Sequence, residues 1–203
     1  DLRHFEILTR FHMDRENTQD IINFAEDVGF AKNIDLAITK RAMDYLRYNG
    51  STNNFKFSIN LSGQSIQDDS FFEKLCELMD EHSEYAKRVY FELTESSEIT
   101  DLENVNRKIS ILQEKGYKVC LDDFGAGSAS IQYLHQLDVD YLKIDGKYTA
   151  AISRSKRDRV MIKHIVSLCQ DLGVTCVAER IETLEELSIL NELGVHYGQG
   201  YLF

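Results

Sequence analysis

The stretch KVCLDDF, residues 118–124, is the part of the chain that decides the fold. Its apolar run ends in two adjacent acids, Asp122 and Asp123, and the loop GAGSAS (125–130) follows. Adjacent carboxylates repel each other unless a cation compensates them. The pattern predicts a buried strand whose carboxyl end carries a functional site. The alternative is that one acid caps the next helix while the other is solvated.

Polar or charged residues also close the other candidate strands. They are Asn60 in FKFSIN, Glu92 in RVYFE, Lys143 in DYLK, Glu179 in TCVAE and Gln199 in YGQGYLF. We expect these strand ends to meet at one face of a closed sheet. The six histidines show no zinc-type spacing, and oxygen ligands favour Mg²⁺ or Mn²⁺. The sequence therefore predicts a divalent-metal site that acts on a phosphate ester.

Strand-like and helix-like segments alternate along the whole chain. Candidate strands span 5–11, 55–61, 88–94, 118–124, 139–144 and 174–179, with a last one in VHYGQGYLF. Candidate helices span 18–29, 32–48, 69–83, 101–115, 155–172 and 183–193, with a short helix after GAGSAS. Continuous apolar strands are typical of parallel sheets. Since an open sheet places its site at one switch point, polar ends on nearly every strand favour an α/β fold of the (β/α)8 TIM-like barrel type. Seven strands are predicted, and we expect the missing first strand to precede Asp1.

Composition indicates one domain over residues 1–203, since 43% of the residues are hydrophobic and no linker interrupts them. We expect no membrane insertion by this domain, because it has no long apolar run and no signal peptide. The net charge of -11 argues against binding of duplex nucleic acid. Four cysteines without a C-x-x-C pair indicate buried free thiols in a reducing compartment, hence a cytoplasmic location, either free or as part of a membrane-anchored protein.

Several single residues admit two interpretations. Lys143, flanked by apolar residues, is interpreted as a buried cation beside carboxylates rather than as a surface lysine. Glu95 is either a direct ligand or a loop-bracing carboxylate, and Glu182 either functional or a first-turn helix acid. Gln199 lies between two glycines, which indicates a close backbone approach to a ligand. Asn60 taken alone is weaker evidence for a functional site, since an amide at a strand end often forms hydrogen bonds with the backbone.

Seven motifs in order make the chain resemble the EAL-domain cyclic di-GMP phosphodiesterases from Phe5 to Phe203. The motifs are EILTR (6–10), NLS (60–62), ELTE (92–95), DDFGAG (122–127), KID (143–145), AERIE (178–182) and QGY (199–201). The resemblance implies a (β/α)8-type barrel that hydrolyses cyclic di-GMP to linear 5'-pGpG with two Mg²⁺ or Mn²⁺ ions. Ca²⁺ is expected to inhibit, because its larger and looser coordination shell misplaces the attacking water.

The resemblance also implies roles for individual residues. The implied metal ligands are Glu6, Asn60, Glu92, Asp122 and Asp123, with Asp122 bridging the two ions. The implied catalytic residues are Lys143, which positions or activates the attacking water, and Glu179, the general base or a ligand to that water. Substrate binding falls to Leu8, Arg10 and Gln199, and loop bracing to Glu95 and Glu182.

The sequence departs from the family pattern at Ile7, in the middle of E-A-L, and in the loop at Ala126 and Ala129. In the family, that loop couples dimerisation to metal binding. The implied partners are cyclic di-GMP, a second copy in a homodimer, and GGDEF, PAS or other sensor domains of a larger signalling protein. The alternative to an active enzyme is a catalytically weak or inactive cyclic di-GMP receptor. We favour the enzyme because every metal-ligand position is filled.

Overall fold

The computed structural model describes residues 4–10, 17–49, 55–94, 99–125 and 130–203. The chain divides into two compact units, Asp1–Val119 and Cys120–Phe203. Strands and helices alternate in each unit, as the sequence predicts. Among the described residues, no helix combines the length and the apolar character needed to cross a membrane.

The first unit contains a parallel sheet with helices before and after its strands. The strands are β1 (His4–Ile7), β2 (Lys56–Leu61) and β3 (Val89–Thr94). The helices are α1 (Thr18–Asp27), α2 (Ala31–Asn49), α3 (Gly63–Gln67), α4 (Asp69–Glu81) and α5 (Leu102–Glu114), with a 3-10 helix at Ser83–Arg88. In register, Glu6 pairs with Ser58 and Asn60 pairs with Glu92. Since paired residues share a face and residues two apart do so as well, Glu6, Asn60 and Glu92 lie on one face of this sheet.

The second unit repeats the strand and helix alternation. The strands are β4 (Lys118–Phe124), which begins at the unit boundary, β5 (Tyr141–Ile144), β6 (Thr175–Ala178) and β7 (Tyr197–Gly198). The helices are α6 (Ser130–Gln136), α7 (Gly146–Ala151), α8 (Lys156–Leu172) and α9 (Leu184–Glu192). Strands β4 to β7 pair in parallel in chain order. The β4–β5 register shifts between Leu121 and Phe124, where the two adjacent acids lie.

Burial follows the three- and four-residue spacing of apolar residues along the helices. In α5 the apolar positions Leu102, Val105, Ile109 and Leu112 are all buried. Asp101 caps this helix by accepting a hydrogen bond from the Asn104 N–H at 3.0 Å. Thr183 and Glu186 form a capping box at the start of α9. The four cysteines are free thiols, and three of them are buried, as expected.

Some predicted boundaries are wrong. The strand predicted over 5–11 ends at Ile7, and Leu8 to Arg10 continue without strand pairing. Three short helical segments, α3, the 3-10 helix and α7, are absent from the prediction. Segments of five or six residues are too short for a helical period to emerge from the sequence. Side-chain caps hold two of them instead, Ser62 at the start of α3 and Asp145 at the start of α7.

Candidate functional site

In the first unit, the carboxyl ends of the strands bring three oxygen-bearing side chains together. Asn60 Nδ2 donates to Glu6 Oε1 at 2.9 Å. Glu6 and Glu92 each bring a carboxylate oxygen to within 4.8 Å of the other. Glu92 is buried, with 3% of its surface exposed. Two acids and an amide on three adjacent strands form what is called here the first oxygen group, consisting of Glu6, Asn60 and Glu92.

The amide oxygen of Asn60 shows that this group suits a cation. Asn60 Oδ1 is buried and has no hydrogen-bond partner within the described part of the chain. A buried acceptor without a partner costs about 1–3 kcal/mol, so a ligand is the simplest account of its orientation. The amide donates through its other end to Glu6, which turns Oδ1 away from that carboxylate. Carboxylate and amide oxygens in this combination fit Mg²⁺ or Mn²⁺.

A polar layer supports the first oxygen group on the same sheet face. The His4 ring is hydrogen bonded to Ser58 Oγ at 2.5 Å, and its centroid lies 4.7 Å from that of Tyr90. Lys56 Nζ donates to the Tyr90 hydroxyl at 2.8 Å. The sequence reasoning missed this layer. A two-residue periodicity of polar positions in β1 and β2 is the signal that would have found it.

In the second unit, Lys143 is a buried cation between two acids. Its Nζ lies 3.0 Å from Asp122 Oδ1 and 3.0 Å from Glu179 Oε1, and only 3% of the residue is exposed. Gln199 Nε2 donates to the same Glu179 oxygen at 2.8 Å. The structure therefore brings together four of the sequence-predicted residues and gives Lys143 the surroundings that we expected. This arrangement, Asp122, Lys143, Glu179 and Gln199, is called the lysine cluster below.

The electrostatics of the lysine cluster are dominated by burial. Desolvation raises the pKa of Glu179 from 4.5 to about 6, against the opposing effect of Lys143. Desolvation also raises the pKa of Asp123, and the charge of Asp122 adds to this shift. Carboxylate oxygens of Asp122, Asp123 and Glu179 all lie within 4.8 Å of one another. Three acids around one lysine leave excess negative charge, which favours a bound cation.

The register shift in β4 explains how adjacent acids come together. Neighbouring side chains of an extended strand point to opposite faces. Asp123, however, has a left-handed φ of 54°, and its N–H donates to Asp122 Oδ1 at 2.9 Å. Gly125 continues the turn with φ 94°, and its carbonyl accepts from Lys147 Nζ and from the Tyr148 hydroxyl. A non-glycine residue in this region carries about 1–3 kcal/mol of strain and persists where the surrounding structure holds it.

The two glycines around Gln199 have a structural reason of their own. A Cβ on Gly200 would lie 2.3 Å from the backbone nitrogen of Ile181, and one on Gly198 would lie 2.3 Å from Ile181 Cδ1. The Ile181 N–H donates to the Gln199 carbonyl at 3.0 Å. The two glycines therefore allow a close approach of the backbone to Ile181, and the predicted approach to a ligand stays a prediction. The approach to Ile181 holds the turn that carries the Gln199 amide.

Other predicted residues lie apart from these two groups or outside the described residues. Leu8 and Arg10 follow β1 and are exposed, Leu8 at 66%. Glu182 is exposed and precedes the N-cap Thr183, so the interpretation as a first-turn acid is wrong; the first-turn acids of α9 are Glu185 and Glu186. Glu95 and residues 126–129 lie outside the described residues. The roles given to these residues stay predictions.

Sequence reasoning also missed Arg180, which follows Glu179 directly. Its φ is 53°, its side chain packs against Gly146, and its positive charge lowers the pKa of Asp123.

Comparisons with known proteins agree with this geometry. The profile of the EAL domain family matches residues 1–203. Cyclic di-GMP phosphodiesterase PdeA of Borreliella burgdorferi is 32% identical over 98% of this chain and 30% of its own length. Cyclic di-GMP phosphodiesterase PdeB of Shewanella oneidensis is 32% identical over 87% of this chain and 21% of its own length. The chain thus spans less than a third of either relative.

A solved structure extends the likeness to the fold. The EAL domain of FimX from Xanthomonas citri, in complex with c-diGMP, matches with a TM-score of 0.85 at 22% identity. The match covers 99% of this chain and 81% of that one. At this identity the likeness concerns the fold alone, and it confirms the predicted barrel-type α/β fold class.

Proposed function

The chain belongs to the EAL domain family, and from this premise we propose that it hydrolyses cyclic di-GMP to linear 5'-pGpG with two Mg²⁺ or Mn²⁺ ions. One observation carries the proposal: a buried lysine contacts both Asp122 and a glutamate whose pKa is raised to about 6. Such a pair of groups suits proton transfer near neutral pH. Both named relatives are cyclic di-GMP phosphodiesterases, which supports the same substrate here.

In this proposal the first oxygen group is a set of metal ligands in the first unit. Asp122 and Asp123 of the second unit are the further metal ligands that the family resemblance implies. The buried Asn60 Oδ1, which lacks a partner among the described residues, fits such a role. When bound, the cations neutralise the phosphodiester and lower the pKa of a nearby water.

In this proposal the lysine cluster removes the proton of the attacking water. Glu179, with its pKa at about 6, accepts the proton of the attacking water as general base. Lys143, 3.0 Å from this carboxylate, orients the water and offsets the negative charge of the surrounding acids. Gln199 fixes the Glu179 carboxylate by donating to Oε1 at 2.8 Å. Arg10 binds a substrate phosphate and Leu8 contacts the ligand on the exposed segment after β1.

The relatives extend well beyond the matched region. This length supports the further proposal that the domain acts within a larger cytoplasmic signalling protein, beside GGDEF, PAS or other sensor domains. Homodimerisation stays a prediction from the family.

Turnover with two matched variants tests the function. The purified chain is incubated with cyclic di-GMP and Mg²⁺ or Mn²⁺, and pGpG is quantified by chromatography. We expect product from the wild type and at least a hundred-fold loss in Glu6→Gln, which keeps an oxygen for Asn60 but removes the charge. Glu73→Gln, at an exposed acid of α4, should retain full activity. Binding of cyclic di-GMP without product would replace the enzyme by a receptor.

A further inference from the structure

The chain directly after Asn60 is held by an acid from a neighbouring helix. Asp35, in α2, accepts a hydrogen bond from the Ser62 N–H through Oδ2 at 2.9 Å. Ser62 lies two residues beyond Asn60, at the point where β2 ends and α3 begins. The contact joins α2 to the exact turn that follows the first oxygen group.

Two serine hydroxyls complete this anchor. Ser62 Oγ donates to Ser65 Oγ at 2.8 Å and accepts from the Ser65 N–H at 3.1 Å, which caps α3. Hydrogen bonds from Ser65 and Ser62 lower the pKa of Asp35, although desolvation is the larger effect and raises it overall. Burial of a carboxylate costs free energy unless hydrogen bonds compensate it. The hydrogen bonds that Asp35 accepts therefore tie this acid to the turn after β2.

Asn60 is thereby restrained from two directions. Its Nδ2 donates a hydrogen bond to Glu6 Oε1 at 2.9 Å, and Asp35 accepts a hydrogen bond from the backbone N–H two residues later. The remaining atom, Oδ1, is buried and lacks a hydrogen-bond partner in the described ranges. A metal ligand needs this kind of outer support, because removing it typically costs 10- to 100-fold in metal affinity.

We propose that Asp35 is a positioning residue that sets the Asn60 amide oxygen for the divalent cation. The inference rests on the proposed function, because it assumes that Asn60 is a ligand. Asp35 itself contacts neither cation nor substrate in this role. It acts through the Ser62 backbone and the Ser62–Ser65 pair.

The same helix offers a matched control. Lys32 Nζ lies 2.7 Å from Asp68 Oδ2, and Asp68 is the N-cap of α4. This pair also ties α2 to a neighbouring helix, but it does not involve Ser62. Lys32→Ala therefore removes a tie of α2 without loosening the turn after Asn60.

Mn²⁺ binding is the measurement, with Mn²⁺ alone as the probe. Free Mn²⁺ is followed by electron paramagnetic resonance during titration of the wild type, Asp35→Ala, Asp35→Asn, Lys32→Ala, Asn60→Ala and the double variant Asp35→Ala/Asn60→Ala. Folding of each is checked by circular dichroism. We expect Asp35→Ala to lower the Mn²⁺ affinity by about ten-fold or more. The affected site should be the same one that Asn60→Ala weakens. Lys32→Ala should stay within about two-fold of the wild type, since exposed ion pairs contribute little.

The double variant separates positioning from general loosening. If Asp35 acts through Asn60, adding Asp35→Ala to Asn60→Ala produces no further loss of Mn²⁺ affinity. An additive loss overturns the inference, as does wild-type affinity in Asp35→Ala. If Asp35→Ala does not fold, Asp35→Asn and Asp35→Asn/Asn60→Ala decide. The neutral amide accepts the Ser62 N–H more weakly than the carboxylate does, so we expect a measurable loss of Mn²⁺ affinity in Asp35→Asn and no further loss when it is added to Asn60→Ala. Wild-type affinity in Asp35→Asn, or an additive loss in this double variant, overturns the inference. A wild type that binds no Mn²⁺ overturns the proposed function together with the inference, whereas a failed Asp35 effect leaves the proposed function intact.

Discussion

Lys143 Nζ lies 3.0 Å from Glu179 Oε1, and both side chains are buried. A buried carboxylate is stable in its charged form only where a cation or hydrogen-bond donors compensate it. Lys143 supplies the charge and Gln199 supplies a donor to the same oxygen. The balance between this compensation and desolvation sets both the stability of the metal-free protein and the protonation of the proposed general base.

Lys143→Met should destabilise the protein in a pH-dependent way. Removing the cation leaves Asp122 and Glu179 as buried acids without it, which costs about 3–5 kcal/mol in comparable sites. We expect a loss of about 3 kcal/mol in the free energy of unfolding at pH 8, measured by urea denaturation of the metal-free protein. The loss should be smaller at pH 5, where the Glu179 carboxyl binds a proton. Turnover should fall at least a hundred-fold.

The control for this variant is Lys163→Met, at an exposed position of α8. Its free energy of unfolding should stay within about 0.5 kcal/mol of the wild type, as is usual for surface substitutions. Equal losses in the two variants would contradict the role given to the buried pair.

The stability of the metal-free protein should fall as pH rises through the titration of Glu179. The folded-state pKa is about 6, raised from 4.5, so the folded protein holds the proton longer than the unfolded chain does. The contribution of this pKa difference to the free energy of unfolding is fully present below pH 4.5 and is lost as pH rises through 6. This contribution amounts to about 2 kcal/mol, since one pKa unit corresponds to about 1.4 kcal/mol.

Glu179→Gln isolates this contribution, because other acids titrate in the same range. The difference in unfolding free energy between wild type and variant should change by about 2 kcal/mol between pH 4 and pH 7.5, the variant gaining relative stability at the higher pH. Urea denaturation at several pH values measures it. A difference that stays constant with pH would show that the Glu179 pKa is not raised.

Ca²⁺ should inhibit the Mg²⁺- or Mn²⁺-supported reaction. The donor set offers carboxylate and amide oxygens that Ca²⁺ also accepts, but with longer bonds and looser geometry. We expect Ca²⁺ to compete for binding while supporting less than about one hundredth of the Mn²⁺ turnover, because a misplacement of about 1 Å costs on that order in rate. Competition is measured by Mn²⁺ displacement and turnover by pGpG formation. Equal turnover with Ca²⁺ would argue against the proposed two-metal reaction.

The sequence predicted the strands well where one strand buries both faces. The prediction for KVCLDDF, 118–124, matches β4 to the residue, because its continuous apolar run has sharp polar limits. The burial of Lys143 beside acids was also predicted. A lysine flanked by apolar residues is either a surface residue or a buried cation, and the acids at the other strand ends favoured the second interpretation.

Contacts between distant segments escaped the sequence reasoning. Asp35 reaches Ser62 across 27 positions, and no local pattern distinguishes it from other helix acids. The left-handed φ of Asp123 was equally hidden, since such a conformation in a non-glycine residue is imposed by tertiary contacts. The periodicity of apolar residues predicts which side of a helix or strand is buried. It does not predict which distant residues that side contacts, and those contacts fix the positions of Asp35 and Asp123.

Gly200→Ala should impair turnover through the position of Gln199. An added Cβ would lie 2.3 Å from both the backbone nitrogen and the carbonyl oxygen of Ile181, so the backbone at residues 199–200 must shift. We expect at least a ten-fold loss of turnover, because the Gln199 amide no longer reaches Glu179. The control is Gly173→Ala, which has a left-handed φ of 73° but no atom within 4 Å of the added Cβ. It should lose about 1–2 kcal/mol of stability from backbone strain and keep wild-type turnover below its melting temperature. Equal turnover in the two variants would show that the position of Gln199 does not limit the reaction.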